Sequence, residues 1–241
     1  MNIAFKPLAK ALAASVFLSS LVLTAHANTV VLTQAVLQES PQQQGGEFVA
    51  NSATLSNASY AASAQVAGGG FYTFCMAYDQ EFSYGQSLTY ILTNHTDDTS
   101  AGTRTALTGG VAWLYSQFAQ GNILITTGAQ DTDFQDAIWY LQNSNGAPST
   151  LLTNQYLVAA KAAFSGSLAN AELAAGSNNY GVQIILTGYG TYSSTTDSFS
   201  GGYAQPQLYY SRVPEAGSTV ALLGLSLLGI AGFRRKFATA K

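Results

Sequence analysis

The chain contains a single cysteine, Cys75, in 241 residues. One cysteine cannot form an internal disulfide, so Cys75 is free, paired with another chain, or used for different chemistry. Histidine is nearly as scarce, with only His26 and His95. One histidine and one cysteine do not make a zinc site unaided. A cysteine protease would need a base, yet His95 lies in a polar stretch with no triad or oxyanion signature around it. Cations are also few. Between Asn28 and Val213 only Arg104, Lys161 and Arg212 stand against eleven Asp and Glu, a net charge of −8. Such a surface repels phosphate backbones and excludes nucleic acid as a partner. There is no Gly-rich phosphate loop and no EF-hand pattern. Asp131, Asp133 and Asp136 fit the favourable end of a helix dipole better than a calcium or glycosidase site. No metal, no cofactor and no enzymatic turnover are expected.

Long apolar runs occur only at the two ends. Lys6 and Lys10 precede an apolar stretch from Ala11 to Leu23, and Ala25-His26-Ala27 follows. This is the three-part pattern of a secretory signal, with cleavage expected after Ala27. The run is short for a membrane span, which needs roughly 20 apolar residues. A second run, Val220 to Phe233, is followed by Arg234, Arg235 and Lys236. Its glycines suit a membrane helix, and the cations behind it suit a cytoplasmic end. Preceded by Val213-Pro214-Glu215-Ala216-Gly217-Ser218-Thr219, this tail resembles the PEP-CTERM sorting signal of Gram-negative bacteria. Ala216 stands where the commonest version has proline. The resemblance implies three things: transient insertion of the helix in the inner membrane, removal of the tail by an exosortase, and delivery to the cell surface or extracellular matrix. Val213, Pro214, Glu215, Gly217, Ser218 and Thr219 carry the signal.

Three segments follow from this: a signal peptide at 1–27, a domain at 28–211 and a sorting tail at 212–241. Within the domain, β-type runs are expected at Thr29–Val36, Glu47–Ala50, Phe71–Tyr78, Ser87–Thr93, Val182–Leu186 and Gln207–Tyr210. Asn94–Thr103 and Gly188–Gly202 read as polar loops. A helix capped by Thr108 should run to about Gln120, with Gly121 just beyond it. A second helix is expected to start near Thr132, and a third to run from Asn154 to Phe164, stopped by Gly166. Strands at both ends with helices between them predict an α+β fold: a β-sandwich or barrel-like sheet with a small helical insertion in the middle.

Two segments stand out together: Phe71-Tyr-Thr-Phe-Cys75-Met-Ala-Tyr78 and Asp133-Phe-Gln135-Asp-Ala-Ile-Trp-Tyr140. They resemble the paired motifs of the thioester domains of bacterial surface adhesins, although Phe134 stands where a frequent form has threonine. The resemblance implies an internal thioester between the sulfur of Cys75 and the side-chain acyl group of Gln135. Phe74, Tyr78, Phe134 and Trp139 are local candidates to shield it, Trp139 lying at i+4 from Gln135 on one helical face. Each residue alone also has a structural explanation. Cys75 can be a small buried hydrophobe. Thr132 and Gln135 have the spacing of a capping box. Ile138 and Trp139 can be core. The expected function is therefore covalent capture of an amine on a surface protein or matrix component. The alternative is a structural protein of the extracellular polysaccharide or biofilm matrix that uses no covalent chemistry.

Overall fold

The computed structural model describes residues 28–37, 46–78, 80–98, 103–143, 153–176 and 179–211. The signal peptide and the sorting tail, with its apolar run, lie outside these residues. Strand β1, Thr29–Gln34, buries Val30 and Leu32 and turns the intervening residues outward, as a half-buried strand must. It pairs antiparallel with β2, Glu47–Asn51, which pairs in turn with β3, Phe71–Phe74. On its other side β1 pairs with β4, Ser87–Thr93. A hairpin of β5, His95–Asp98, and β6, Thr103–Ala106, follows. The sequence reads this stretch as a loop, but its threonines favour a pleated surface, and Thr96 is buried.

Four helices then follow. Helix α1, Gly109–Ala119, is capped by the Thr108 hydroxyl, which accepts the N–H of Val111. Helix α2, Gly128–Gln142, is capped by Thr127. Helix α3, Gln155–Ala163, is capped by Asn154, and a single turn, α4, spans Leu168–Ala171. The start of α2 corrects the expectation at Thr132: the Thr127 hydroxyl accepts the N–H of Gln130, so the helix begins four residues before Thr132. Thr132 and Gln135 therefore do not form a capping box, and Gln135 lies in the helix interior.

The chain returns to the sheet with β7, Val182–Gly188, which pairs with β4. A small hairpin of β8, Tyr192–Ser193, and β9, Ser198–Phe199, lies inside the predicted polar loop. The buried ring of Phe199 covers Gly188 so closely that a Cβ there would meet ring carbons at 2.2 and 2.3 Å, which is why residue 188 has no side chain. Last comes β10, Gln207–Tyr210, paired with β7. The result is a sheet-rich α+β fold. Its large antiparallel sheet has six strands in the order β10-β7-β4-β1-β2-β3.

The two end strands of that order meet. The Thr73 hydroxyl donates to the Leu208 carbonyl at 2.6 Å and accepts the Leu208 N–H at 3.0 Å. Two residues beyond Thr73, Cys75 forms a bridge with Gln207, and the Met76 N–H donates to Pro206 O. From α1, the Tyr115 hydroxyl reaches the carbonyls of Tyr72 and Leu208, lacing the seam from inside. A sheet curled onto itself in this way puts Cys75 at its closing seam. Among the described residues no helix is long and apolar enough to cross a membrane.

Candidate functional site

One face of α2 carries three polar side chains that leave water to bind the backbone of other elements. Asp131, Gln135 and Gln142 are each no more than 2 % exposed. Their spacing of four and seven residues aligns them on one stripe. Asp131 accepts the Glu47 N–H at 2.8 Å, holding the start of β2. Gln142 accepts the Thr108 N–H at 3.2 Å and donates to the Ala106 carbonyl at 2.9 Å.

Gln135, between them, makes the most of its position. Its Oε1 accepts the N–H of Cys75 at 2.9 Å and the N–H of Gly46 at 3.3 Å, and its Nε2 donates to the Cys75 carbonyl at 2.9 Å. The carboxamide thus grips residue 75 at both backbone groups, with two N–H donors converging on its oxygen. The structure brings together the two residues singled out from the sequence, which lie 60 positions apart. Gln135 is in mid-helix, and both N–H groups come from the strand side.

Cys75 is fully buried and carries no disulfide. Burial pushes its thiol well above the usual range. The Asp131 carboxylate adds to that push, whereas the Gln207 side chain and the Gly46 N–H oppose it. A thiol so placed is protonated at neutral pH and a poor target for outside reagents. Nearby, burial reinforced by the charge of Asp131 raises Glu47 from 4.5 to about 8.

The four shielding candidates divide into two groups. Trp139 packs with Phe48 about Cys75 in a separate apolar cluster, with Tyr78 and Phe82 against it. Tyr78 meets Trp139 edge-on at 4.8 Å, and Phe82 meets Phe48 edge-on at 5.2 Å. Phe74 and Phe134 belong instead to the main core, 4.7 Å apart, with Phe118 beside both. Sequence reasoning misses Gly46, Phe48, Phe82 and Gln207, of which all but Phe82 come from distant parts of the chain. His95, in a stretch expected to be a polar loop, starts β5, is half-buried and is bonded to the Thr93 hydroxyl at 2.6 Å. Among the described residues no cluster of three or more His, Cys, Asp or Glu side chains is placed to hold a metal ion.

Comparison with known proteins bears on the C-terminus alone. No curated protein and no solved structure matches the chain. Residues 212–237 match the family model of the VPDSG-CTERM motif. Here Val213, Pro214 and Gly217 keep the motif's letters, with Glu215 for Asp and Ala216 for Ser. The chain ends in a C-terminal sorting signal similar to PEP-CTERM, which marks it for export to the cell surface and for processing by a sorting enzyme.

Proposed function

We propose that the mature protein is a surface or extracellular-matrix adhesion module whose Cys75 and Gln135 condense into an internal thioester for covalent capture of an amine. The observation that carries this reading is the two-donor grip on the Gln135 carbonyl beside the only thiol among residues 28–211. In the condensation, the sulfur of Cys75 attacks the side-chain carbonyl carbon of Gln135. A C–S bond forms, the C–N bond breaks, and the thiol proton leaves with the nitrogen as ammonia. A primary amide is a poor electrophile, so the reaction depends on enforced proximity, which supplies effective molarities of roughly 10⁵ M or more. The N–H groups of Cys75 and Gly46 converge on the oxygen that becomes negative in the tetrahedral intermediate, the arrangement of an oxyanion hole. Trp139, Phe48, Tyr78 and Phe82 keep water from the product.

The bond acts once. A partner's amine attacks the same carbon, an amide replaces the thioester, and one amine proton passes to the departing sulfur. Before that step the sorting tail is removed by an exosortase during passage through the inner membrane. Intact-mass measurement of the mature chain tests the reading: a deficit of one ammonia that vanishes in Cys75→Ala supports it. A mature chain with the full mass of its sequence rejects it.

A second reading, a matrix protein without covalent chemistry, draws on Gln142. That residue makes the same two-way bond to backbone at Thr108 and Ala106 with no cysteine nearby, as a purely structural device. On this reading Gln135 is a second such clasp, and attachment to the matrix survives Cys75→Ala unchanged.

A further inference from the structure

Gln207 faces Cys75 directly across the seam of the sheet, in an antiparallel bridge. Directly opposed residues put their side chains on the same face with Cβ atoms about 4.5–5.5 Å apart. Gln207 is fully buried; its side chain hydrogen-bonds the Cys75 thiol, and its amide nitrogen makes a long contact, 3.5 Å, to the Gln205 carbonyl. Its Oε1 has no partner among the described residues, and the same holds for Nε1 of Trp139, which shares a buried cluster with Cys75. Leaving a buried polar atom unpaired is costly, so a fold that keeps an acceptor and a donor idle on two residues packed near Cys75 calls for an explanation. Neither atom has a task in holding the backbone, unlike the amides of Gln135 and Gln142.

We infer that Gln207 is the third side chain of the thioester site, its Oε1 accepting a hydrogen bond from the N–H of the amine that opens the bond. This rests on the thioester reading and adds a selectivity to it. A primary amine attacking the Gln135 carbonyl carbon brings at least one N–H more than it needs for the new bond. An acceptor beside the sulfur orients the nitrogen and steadies the positive charge that grows on it before its proton passes to Cys75. A thiolate, which carries no proton to give, gains nothing from such an acceptor. Gln207 thus favours amines over other nucleophiles of similar size.

The test uses the full mature chain, with methylamine and mercaptoethanol as the two nucleophiles and intact mass to follow opening of the bond. Gln207→Met, which keeps the volume but removes the acceptor, should slow opening by methylamine about tenfold and leave opening by mercaptoethanol within about twofold. If Gln207→Met does not fold or forms no bond, Gln207→Asn, which draws the carbonyl back by one methylene, reads the same ratio. Equal slowing of both nucleophiles, or slowing of neither, overturns the inference while leaving the thioester itself intact. A wild-type chain without the ammonia deficit removes the parent reading and this one together.

Discussion

The carboxamide of Gln135 bonds the backbone of Cys75 in both directions, N–H to Oε1 and Nε2 to carbonyl, each at 2.9 Å. Truncation to Gln135→Ala would strand three buried backbone groups, counting the Gly46 N–H. At about 1–3 kcal/mol for each unmet group, partly relieved by relaxation, the variant should lose about 3–5 kcal/mol of unfolding free energy. Cys75→Ala leaves those bonds in place and should cost only about 1–2 kcal/mol, while abolishing methylamine uptake. Denaturant titration of the two variants checks the order; equal losses would mean that the carboxamide contributes no more than the thiol.

Stability should fall as pH rises toward mild alkalinity. Burial and the neighbouring Asp131 hold the Glu47 carboxyl at about 8 in the fold, against 4.5 when unfolded. A raised folded value means that the native state keeps a proton the unfolded chain has released. The stabilising contribution is complete below about pH 4.5 and is lost progressively until about pH 8, a loss on the order of a few kcal/mol. Glu47→Gln should flatten this slope. An unchanged pH dependence in that variant would show that Glu47 is not the group responsible.

The Thr73 hydroxyl is one of the links across the seam between β3 and β10. Thr73→Val keeps the shape but leaves the Leu208 N–H without its cross-seam partner and the Leu208 carbonyl with the Tyr115 hydroxyl alone, at a cost of about 1–3 kcal/mol. Because Cys75 sits two residues along the same strand, exchange of the Cys75 and Met76 amides should also quicken. Loss of stability without faster exchange at residues 75 and 76 would separate the hydroxyl from the site.

Cover over the sulfur should control the lifetime of the bond. Phe48→Ala removes a ring from the cluster of Cys75 and Trp139, at a cost of about 3–5 kcal/mol, and admits water. Hydrolysis of the thioester should accelerate at least tenfold, measured as thiol appearing without added amine. By contrast Phe74→Leu, which alters the main core, should change stability more than hydrolysis. The opposite ranking would place the shield in the main core.

Local signals in the sequence reach as far as local structure does. The cap of α3 at Asn154 and the stop after it were legible because a capping side chain and a glycine sit within a turn of the helix ends. The pairing of Cys75 with Gln135 was legible through resemblance of two motifs, not through periodicity. Gly46 and Gln207 were not legible at all. Gly46 meets Gln135 across 89 residues through a backbone N–H, which any residue but proline supplies, and Gln207 reaches Cys75 only because the sheet curls until its end strands touch. The hairpin from His95 to Ala106 was missed because threonine and aspartate serve loops and exposed strands alike.

Alkylation under denaturing conditions tests the central claim most directly. Mature protein recovered from the cell envelope, unfolded in the presence of iodoacetamide, should take up no label at Cys75. Treatment with methylamine beforehand should expose one thiol and add one methylamine at Gln135. Full labelling of Cys75 on unfolding alone, with no prior amine, would contradict the account.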